Sequence, residues 1–204
     1  MNMFSKLGVV AGTLVLSAAG IAPAQAQRWT HTDPAGDVTS ATECSAEGDS
    51  CTETVAAAQT VPDVVHFVAD HRARRVNVWA RYRDLTASGT RLHQVRYVTN
   101  EGIRRHLTLA TYNGRVIVRE LSRDSDGRKV ACTGIRHSID YTANTVSISV
   151  PRACMSAPRN VRVGFGSYAF RNIEDPTTGG WYDDALATGP TPGDLVLGPV
   201  LRRG

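Results

Sequence analysis

Apolar and polar side chains alternate with a period of two through much of this chain, the pattern of a β-strand with one face buried and one in water. The alternation is clearest where Val76, Val78 and Tyr82 are separated by Asn77 and Trp79. No helical period is sustained after residue 26. The pattern predicts strands over residues 64–69, 75–83, 92–99, 105–112, 116–121, 135–141, 144–150 and 161–166.

Turn signals separate these segments. Asn113-Gly114 lies between two alternating runs and predicts a tight hairpin, and Asp126-Gly127 marks a second turn. About eight short strands, with turns every 8–12 residues, are typical of an all-β protein. We therefore expect an antiparallel β-sandwich or jelly roll, with a short final strand at residues 195–197.

The first 26 residues have the pattern of a secretory signal peptide. Lys6 is the only charged residue before Arg28, an apolar run covers residues 7–21, and Ala24-Gln25-Ala26 supplies an A-x-A cleavage site. A membrane anchor would need about 20 apolar residues, and this run ends too early. The pattern predicts an extracellular protein with one domain, residues 27–204, and no membrane span after cleavage.

The four cysteines all follow the predicted cleavage site, and an even number in an exported protein indicates two disulfides. Cys132 and Cys154 lie symmetrically about the predicted hairpin of residues 135–150, so antiparallel pairing would bring them together at its base. Cys44 and Cys51 would then close a small loop. A zinc site is the alternative, but the chain has no C-x-x-C spacing.

Three segments carry a family resemblance: Asp33-Pro34-Ala35-Gly36-Asp37, then Asp63-Val64-Val65, then residues 75–85, which end in Tyr-Arg-Asp-Leu. In this order they resemble secreted bacterial β-sandwich modules of the DOMON and family-9 carbohydrate-binding type. The resemblance implies a β-sandwich fold and a ligand that is a sugar, a haem or a structural calcium ion. Haem is not expected, because the only methionine after residue 26, Met155, directly follows Cys154.

Acidic residues near the two ends of the domain form a candidate calcium site. Asp33 and Asp37 lie in a glycine-containing turn, and Asp183 and Asp184 follow an aromatic pair near the C-terminus. The first and last strands of a sandwich often lie close together, and calcium needs several converging oxygen ligands. The alternative is that these residues form ordinary Asx-turns and solvated acids.

A basic sheet face is the second candidate site. Residues 72–171 carry nineteen Lys or Arg against six acids. If Val76 and Val78 point inward, the opposite face of that strand presents an aromatic among guanidinium groups, which suits an anionic polymer: Arg75, Trp79, Arg81 and Arg83. The alternative is a solvated face whose charge prevents aggregation. Nucleic acid is not expected, because the formal net charge of +4 falls to +3 once Lys6 is removed.

No catalytic residue is predicted, because neither an H-E-x-x-H nor a G-x-S-x-G motif is present. The leading hypothesis is a non-catalytic secreted β-sandwich that binds an anionic glycan or cell-surface polymer. One alternative is a structural or interaction protein without a small ligand. Another is a hydrolase whose histidines and carboxylates meet only in the folded chain, which a cleft holding a histidine hydrogen-bonded to a carboxylate would support.

Overall fold

The computed structural model of the protein describes residues 27–45, 50–172, 174–190 and 194–204. The predicted signal peptide, residues 1–26, lies outside the described residues. Thirteen strands are present in the described part of the chain: β1 (Gln27–Thr32), β2 (Thr39–Thr42), β3 (Thr52–Val55), β4 (Val64–His71), β5 (Arg75–Tyr82), β6 (Thr90–Thr99), β7 (Arg104–Tyr112), β8 (Arg115–Arg123), β9 (Arg136–Asp140), β10 (Thr145–Pro151), β11 (Asn160–Phe170), β12 (Gly180–Asp184) and β13 (Leu201–Arg202).

The strands form two antiparallel sheets. The five-stranded sheet has the order β1-β4-β5-β10-β9. The eight-stranded sheet has the order β3-β2-β12-β11-β6-β7-β8, with β13 paired to β11. The predicted all-β sandwich is confirmed, and all eight predicted strands are present. The other five strands are short or lack regular alternation. Among the described residues, no helix has the length and apolar character needed to cross a membrane.

The core lies between the two sheets. Fully buried Phe67 of β4 stacks on fully buried Phe165 of β11, with ring centroids 5.8 Å apart. Trp29 of β1 packs edge-on against Phe67, and Tyr82 of β5 packs edge-on against Phe165. Burying each such aromatic removes on the order of 150–250 Å² from water, so this cross-sheet stack fixes how the sheets pack.

Local sequence explains the tightest hairpin. Asn113 and Gly114 join β7 to β8 and have φ angles of +48° and +76°. Left-handed backbone at both central positions of a two-residue turn is what Asn-Gly tolerates best. This prediction from the sequence is confirmed.

Both predicted disulfides are present. Cys44 is bonded to Cys51, and Cys132 is bonded to Cys154 with a Cα–Cα distance of 5.4 Å. The second bridge ties the segment before β9 to the short 3₁₀ turn Arg152–Met155, which follows β10. The edge strand β9 is therefore fastened to the sheet through a covalent link as well as through its pairing with β10.

The predicted final strand at residues 195–197 is wrong. Residues 194–200, here called the C-terminal strap, belong to no strand, although the Gly198 N–H donates a hydrogen bond to the Val163 carbonyl oxygen of β11. Strand β13 follows at Leu201–Arg202. The strap crosses the outer face of the eight-stranded sheet at two glycines of β11. A Cβ built on Gly164 would lie 2.4 Å from the carbonyl oxygen of Val196, and one on Gly166 would lie 2.4 Å from a Leu195 methyl carbon. Only glycine permits this close approach.

Arginines of the sheet hold the strap in place. Arg162 of β11 donates hydrogen bonds to the carbonyl oxygens of Leu197 and Gly198, both at 2.9 Å. Arg96 of β6 is buried and forms ion pairs with Asp124 and with Asp194. The apolar run of the strap, Leu195 to Leu197, thus packs against a sheet and does not form a strand of it.

A histidine in the core predicts loss of stability in acid. His93 is 1 % exposed, and its Nδ1 lies 2.8 Å from the Tyr82 hydroxyl. Burial, reinforced by Arg91, lowers the pKa of His93 from 6.5 to about 3. The folded state then binds fewer protons than the unfolded chain below pH 6.5, so this contribution to stability is complete above pH 6.5 and is lost as the pH falls.

We expect the stability difference between the wild type and His93→Gln to shrink by about 2 kcal/mol between pH 6.5 and pH 5, at about 1.4 kcal/mol per pH unit. Urea unfolding at several pH values measures this difference. His66→Gln on the outer sheet face is the control, since it removes a histidine without removing a buried one. A wild-type-to-variant difference that stays constant with pH would contradict the burial argument.

Candidate functional site

A groove of about 880 Å³ lies on the outer face of the five-stranded sheet. This sheet groove is lined by outward-facing side chains of all five strands, among them Arg28 of β1, His66 of β4, Trp79 and Arg81 of β5, Arg136 of β9 and Ser147 of β10. The alternation predicted for β5 is correct, because Val76, Val78 and Tyr82 are buried in the core and the intervening residues face the groove.

Trp79 lies at the middle of the groove. In the cross-strand register it is opposite Val68 of β4 on one side and Ser147 of β10 on the other. The His66 ring packs edge-on against it, with centroids 5.7 Å apart and planes at 72°. Trp79 is half-buried, so part of its ring stays available to a ligand while the neighbouring strands fix its position.

Arginines lie at both ends of one cross-strand row. The register places Arg28, Asp70, Asn77, Ser149 and Arg136 opposite one another across the five strands. Strands spaced about 4.8 Å apart make this row roughly 19 Å wide. The Asp70 carboxylate is already paired with Arg72, whereas no acid is paired with Arg28 or Arg136 within the described residues. The groove therefore has uncompensated positive charge at its two edges.

The four predicted groove residues separate into three groups. Trp79 and Arg81 line the groove, and the exposed Arg81 has no ion pair with another described residue. Arg75 lies flat on the sheet, where it donates hydrogen bonds to the Ser149 hydroxyl and carbonyl oxygens and to the Gly134 carbonyl oxygen. Arg83 lies beyond the end of β5 and is paired with Asp63 at 2.9 Å, away from the groove.

The sequence did not predict three residues that line the groove: Arg28, His66 and Arg136. Arg28 and Arg136 are more than a hundred positions apart, and only the strand order β1-β4-β5-β10-β9 places them on one surface. Arg136 lies at the start of a predicted hairpin, so its position on a strand was an available signal. Arg28 lies in a stretch that was not predicted as a strand, so no such signal existed for it.

The predicted acidic residues form a second constellation at one end of the sandwich. Asp33 and Asp37 lie in the connection from β1 to β2, and Asp183 lies on β12. One carboxylate oxygen from each lies within 4.8 Å of the other two. We call these three residues the acid cluster. Asp33 and Asp183 are each 4 % exposed, and Asp37 is half-buried.

The acid cluster lacks hydrogen-bond donors. Both oxygens of Asp33 and both oxygens of Asp37 are shielded from solvent, and no described residue donates a hydrogen bond to them. Asp183 Oδ2 accepts one hydrogen bond, at 2.6 Å from the Val64 backbone N–H. The nearest histidine nitrogen, His31 Nε2, is 4.0 Å from Asp33 Oδ1, too far for a hydrogen bond.

Burial and mutual repulsion make ionisation of the cluster unfavourable. Burial, with repulsion from Asp183 second, raises the pKa of Asp33 to about 9. Burial likewise raises the pKa of Asp183 to about 8. The pKa of Asp37 is also raised, chiefly by burial. These shifts describe carboxylates gathered out of water without a compensating positive charge.

Two further aspartates border the cluster and already have partners. Asp63 is fully buried, and its Oδ2 accepts hydrogen bonds from Gly36 N–H at 2.8 Å and from Arg83 at 2.9 Å. Asp184 accepts backbone hydrogen bonds from Leu186 at 3.0 Å and from Val196 at 2.7 Å, so it anchors the strap. The structure therefore brings together three of the four predicted metal ligands and directs Asp184 elsewhere.

Contacts between histidines and carboxylates bear on the hydrolase alternative. Within the described residues the two such pairs are His31–Asp33 at 4.0 Å and His106–Asp124 at 3.7 Å. Neither is within hydrogen-bond distance, and burial lowers the pKa of His106, which favours its neutral form. Neither pair lines the sheet groove, so neither supplies the arrangement that would support a hydrolase.

The chain matches no protein-family model and no curated protein. Its resemblance to sugar-binding sandwich modules stays a prediction from residues 33–85. The two constellations with features of a binding site are the sheet groove and the acid cluster.

Proposed function

We propose that this protein is a non-catalytic, exported β-sandwich that binds an anionic polysaccharide along the sheet groove. The observation that carries the proposal is the placement of Trp79 at the centre of a groove edged by Arg28, Arg81 and Arg136. The two disulfides are consistent with an oxidising, extracellular compartment, in which such polymers are met.

The shape of the groove favours an extended ligand over a compact one. It is open along a row of five strands, roughly 19 Å. Beside the aromatic it is lined by the short polar side chains of Ser147 and Ser138 on one side and by Val68 on the other. A sugar ring places its apolar face on an indole while its hydroxyls reach neighbouring hydrogen-bonding groups such as Asn77, Ser147 and Ser138. A chain of sugars repeats this contact along the row.

The charge of the groove favours an anionic ligand. Guanidinium groups bind carboxylate or phosphate oxygens through two parallel hydrogen bonds, and such charge-assisted bonds are stronger than neutral ones. Arg28, Arg81 and Arg136 have no acidic partner within the described residues. A neutral glycan would leave these three charges unused, whereas a polymer with an acid group on each repeat would meet them at intervals.

We expect the purified protein to bind a polyuronate or a poly(glycerol phosphate) more tightly than a neutral β-glucan of similar length. Affinity electrophoresis and calorimetry at two salt concentrations measure this preference, and binding should weaken with salt because the contacts are exposed ion pairs. The two anionic probes distinguish a carboxylate-bearing ligand from a phosphate-bearing one. Equal binding of the neutral glucan would overturn the anionic assignment.

Two substitutions locate the contact. Trp79→Ala should weaken binding about 30-fold, the loss typical of a central aromatic, and Arg81→Gln about tenfold. The matched controls are Tyr112→Ala and Arg115→Gln, which alter an exposed aromatic and an exposed arginine on the other sheet and should leave affinity unchanged. Loss of binding in the controls, or none in Trp79→Ala, would place the ligand elsewhere.

A further inference from the structure

The acid cluster is a buried polar site without internal compensation. Four oxygens, two on Asp33 and two on Asp37, lack any hydrogen-bond partner among the described residues and are shielded from water. Leaving a buried acceptor unpaired costs about 1–3 kcal/mol, and more when the group is charged. A single bound cation would contact one oxygen of Asp33, one of Asp37 and one of Asp183.

The spacing of the oxygens allows one cation to contact all three residues. Oxygens on opposite sides of a calcium ion are about 4.6–5.2 Å apart, because each bond is about 2.3–2.6 Å long. The three cluster oxygens lie within 4.8 Å of one another, so one ion can contact all three. Magnesium demands strict octahedral geometry and loses its bound water reluctantly, so a buried site made of protein carboxylates suits calcium better.

The chemistry of the ligands points the same way. All three are carboxylates, which are hard oxygen donors, and no cysteine or histidine belongs to the group. The nearby guanidinium of Arg83 is already paired with Asp63, and the Asp184 oxygens are used by backbone N–H groups. No neighbouring cation among the described residues is therefore left to stabilise the ionised form of the cluster, whereas a bound metal ion would stabilise it.

We propose that Asp33, Asp37 and Asp183 bind one structural calcium ion, which fastens the connection between β1 and β2 to strand β12. This site is separate from the sheet groove and does not depend on the proposed polysaccharide. The ion would join the two sheets of the sandwich, because β1 belongs to the five-stranded sheet and β12 to the eight-stranded one.

We expect calcium at millimolar concentration, the range in which extracellular modules bind it, to raise the melting temperature relative to chelator. At a concentration about a hundred times the dissociation constant the rise is about 5–10 °C, since only the folded chain holds the site. Calorimetry should show one calcium bound per chain, and magnesium should have little effect. No rise and no binding, or an equal response to magnesium, would overturn the calcium assignment.

Asp33→Asn gives a sharper test, because its effect on the melting temperature should differ between chelator and calcium. In chelator the variant should melt at the same temperature as the wild type or higher, since an amide relieves the repulsion within the cluster. In calcium it should melt lower, since a ligand is lost. Asp140→Asn, an exposed aspartate that caps its own turn, is the control and should keep the full calcium response. An Asp33→Asn variant that retains the calcium rise would disprove the site.

The two proposals fail separately. Trp79→Ala should keep the wild-type calcium response, and Asp33→Asn in chelator should keep polysaccharide binding. A calcium response lost in Trp79→Ala would mean that the ion binds in the groove, which contradicts the acid-cluster assignment.

Discussion

Gly164→Val is expected to lower the free energy of unfolding by about 3 kcal/mol and to release the C-terminal strap from the sheet. Gly164 lies on the outer face of β11, where a Cβ would be 2.4 Å from the Val196 carbonyl oxygen and 3.3 Å from Leu195 Cβ. The obstruction is backbone rather than the end of a flexible side chain. Because overpacking alone costs about 1–3 kcal/mol, displacement of the strap brings the loss to the upper end of that range.

Release of the strap removes several contacts at once. The hydrogen bonds from Arg162 to the strap would break, as would that from the Val196 N–H to Asp184. Buried Leu195 would become exposed, and Arg96 would lose its ion pair with Asp194. The strap should then behave as an exposed tail.

Two measurements check this result. Thermal unfolding should show a decrease in melting temperature of about 6–12 °C, and limited proteolysis should cleave the variant near the strap faster than the wild type. Thr108→Val, on the same outer face in β7, is the control and should change stability by about 0.5 kcal/mol or less. An unchanged melting temperature in Gly164→Val would show that the strap does not pack on this glycine.

The fold followed from the sequence where the signal is local. A period of two can be read from consecutive residues, so β4 to β10 were predicted within two residues at each end, whereas β11 extends four residues beyond its predicted end. Strand β2, with the sequence TSAT, and the four-residue β3 carry no apolar alternation and were missed. The strap was misassigned because its short apolar run, Leu195 to Leu197, is as compatible with packing on a sheet face as with pairing within a sheet.

Three of the four predicted metal ligands form the acid cluster, and the sequence explains why Asp184 does not join them. Asp183 and Asp184 are neighbours on β12, and successive strand residues point to opposite faces. The register confirms this, since Asp183 is opposite inward-facing Ser167 and Asp184 is opposite outward-facing Gly166. The carboxylates of Asp183 and Asp184 therefore point to opposite faces of the sheet. Asp63 was not predicted as a neighbour of the cluster because the strand order that brings it there is a non-local property.

At Arg83 the alternation no longer predicts the face of the sheet on which a side chain lies. The residues of β5 alternate as predicted up to Tyr82, where the strand ends. Arg83 continues the sequence pattern but lies beyond the sheet, where the buried Asp63 carboxylate attracts its guanidinium. The groove acquires its other cations, Arg28 and Arg136, from strands that are distant in sequence. Their convergence depends on topology, which period-two alternation alone does not specify.

Replacing Cys132 and Cys154 together by serine is expected to cost about 3 kcal/mol, and more than the same replacement of Cys44 and Cys51. The first pair is separated by 22 residues and the second by 7. On the chain-entropy model, a longer closed loop restricts the unfolded chain more, and the difference between these loops is about 1 kcal/mol.

Removal of the Cys132–Cys154 bridge should also weaken ligand binding in the sheet groove. Strand β9 is at the edge of the five-stranded sheet, where it pairs with β10, and it carries Arg136 at its first position. The Cys132–Cys154 bridge and the hydrogen bond from Arg75 to the Gly134 carbonyl oxygen hold the segment that leads into it. Without the bridge, β9 should fray from that end, and polysaccharide affinity should fall even under conditions where the domain remains folded. Cys44 and Cys51 lie beside β2 and β3 of the other sheet, so their replacement should leave affinity unchanged.

Thermal unfolding and calorimetric binding on the two double variants test both expectations. Equal losses of stability, or reduced affinity in the Cys44/Cys51 variant alone, would show that loop length and the anchoring of β9 do not govern these effects.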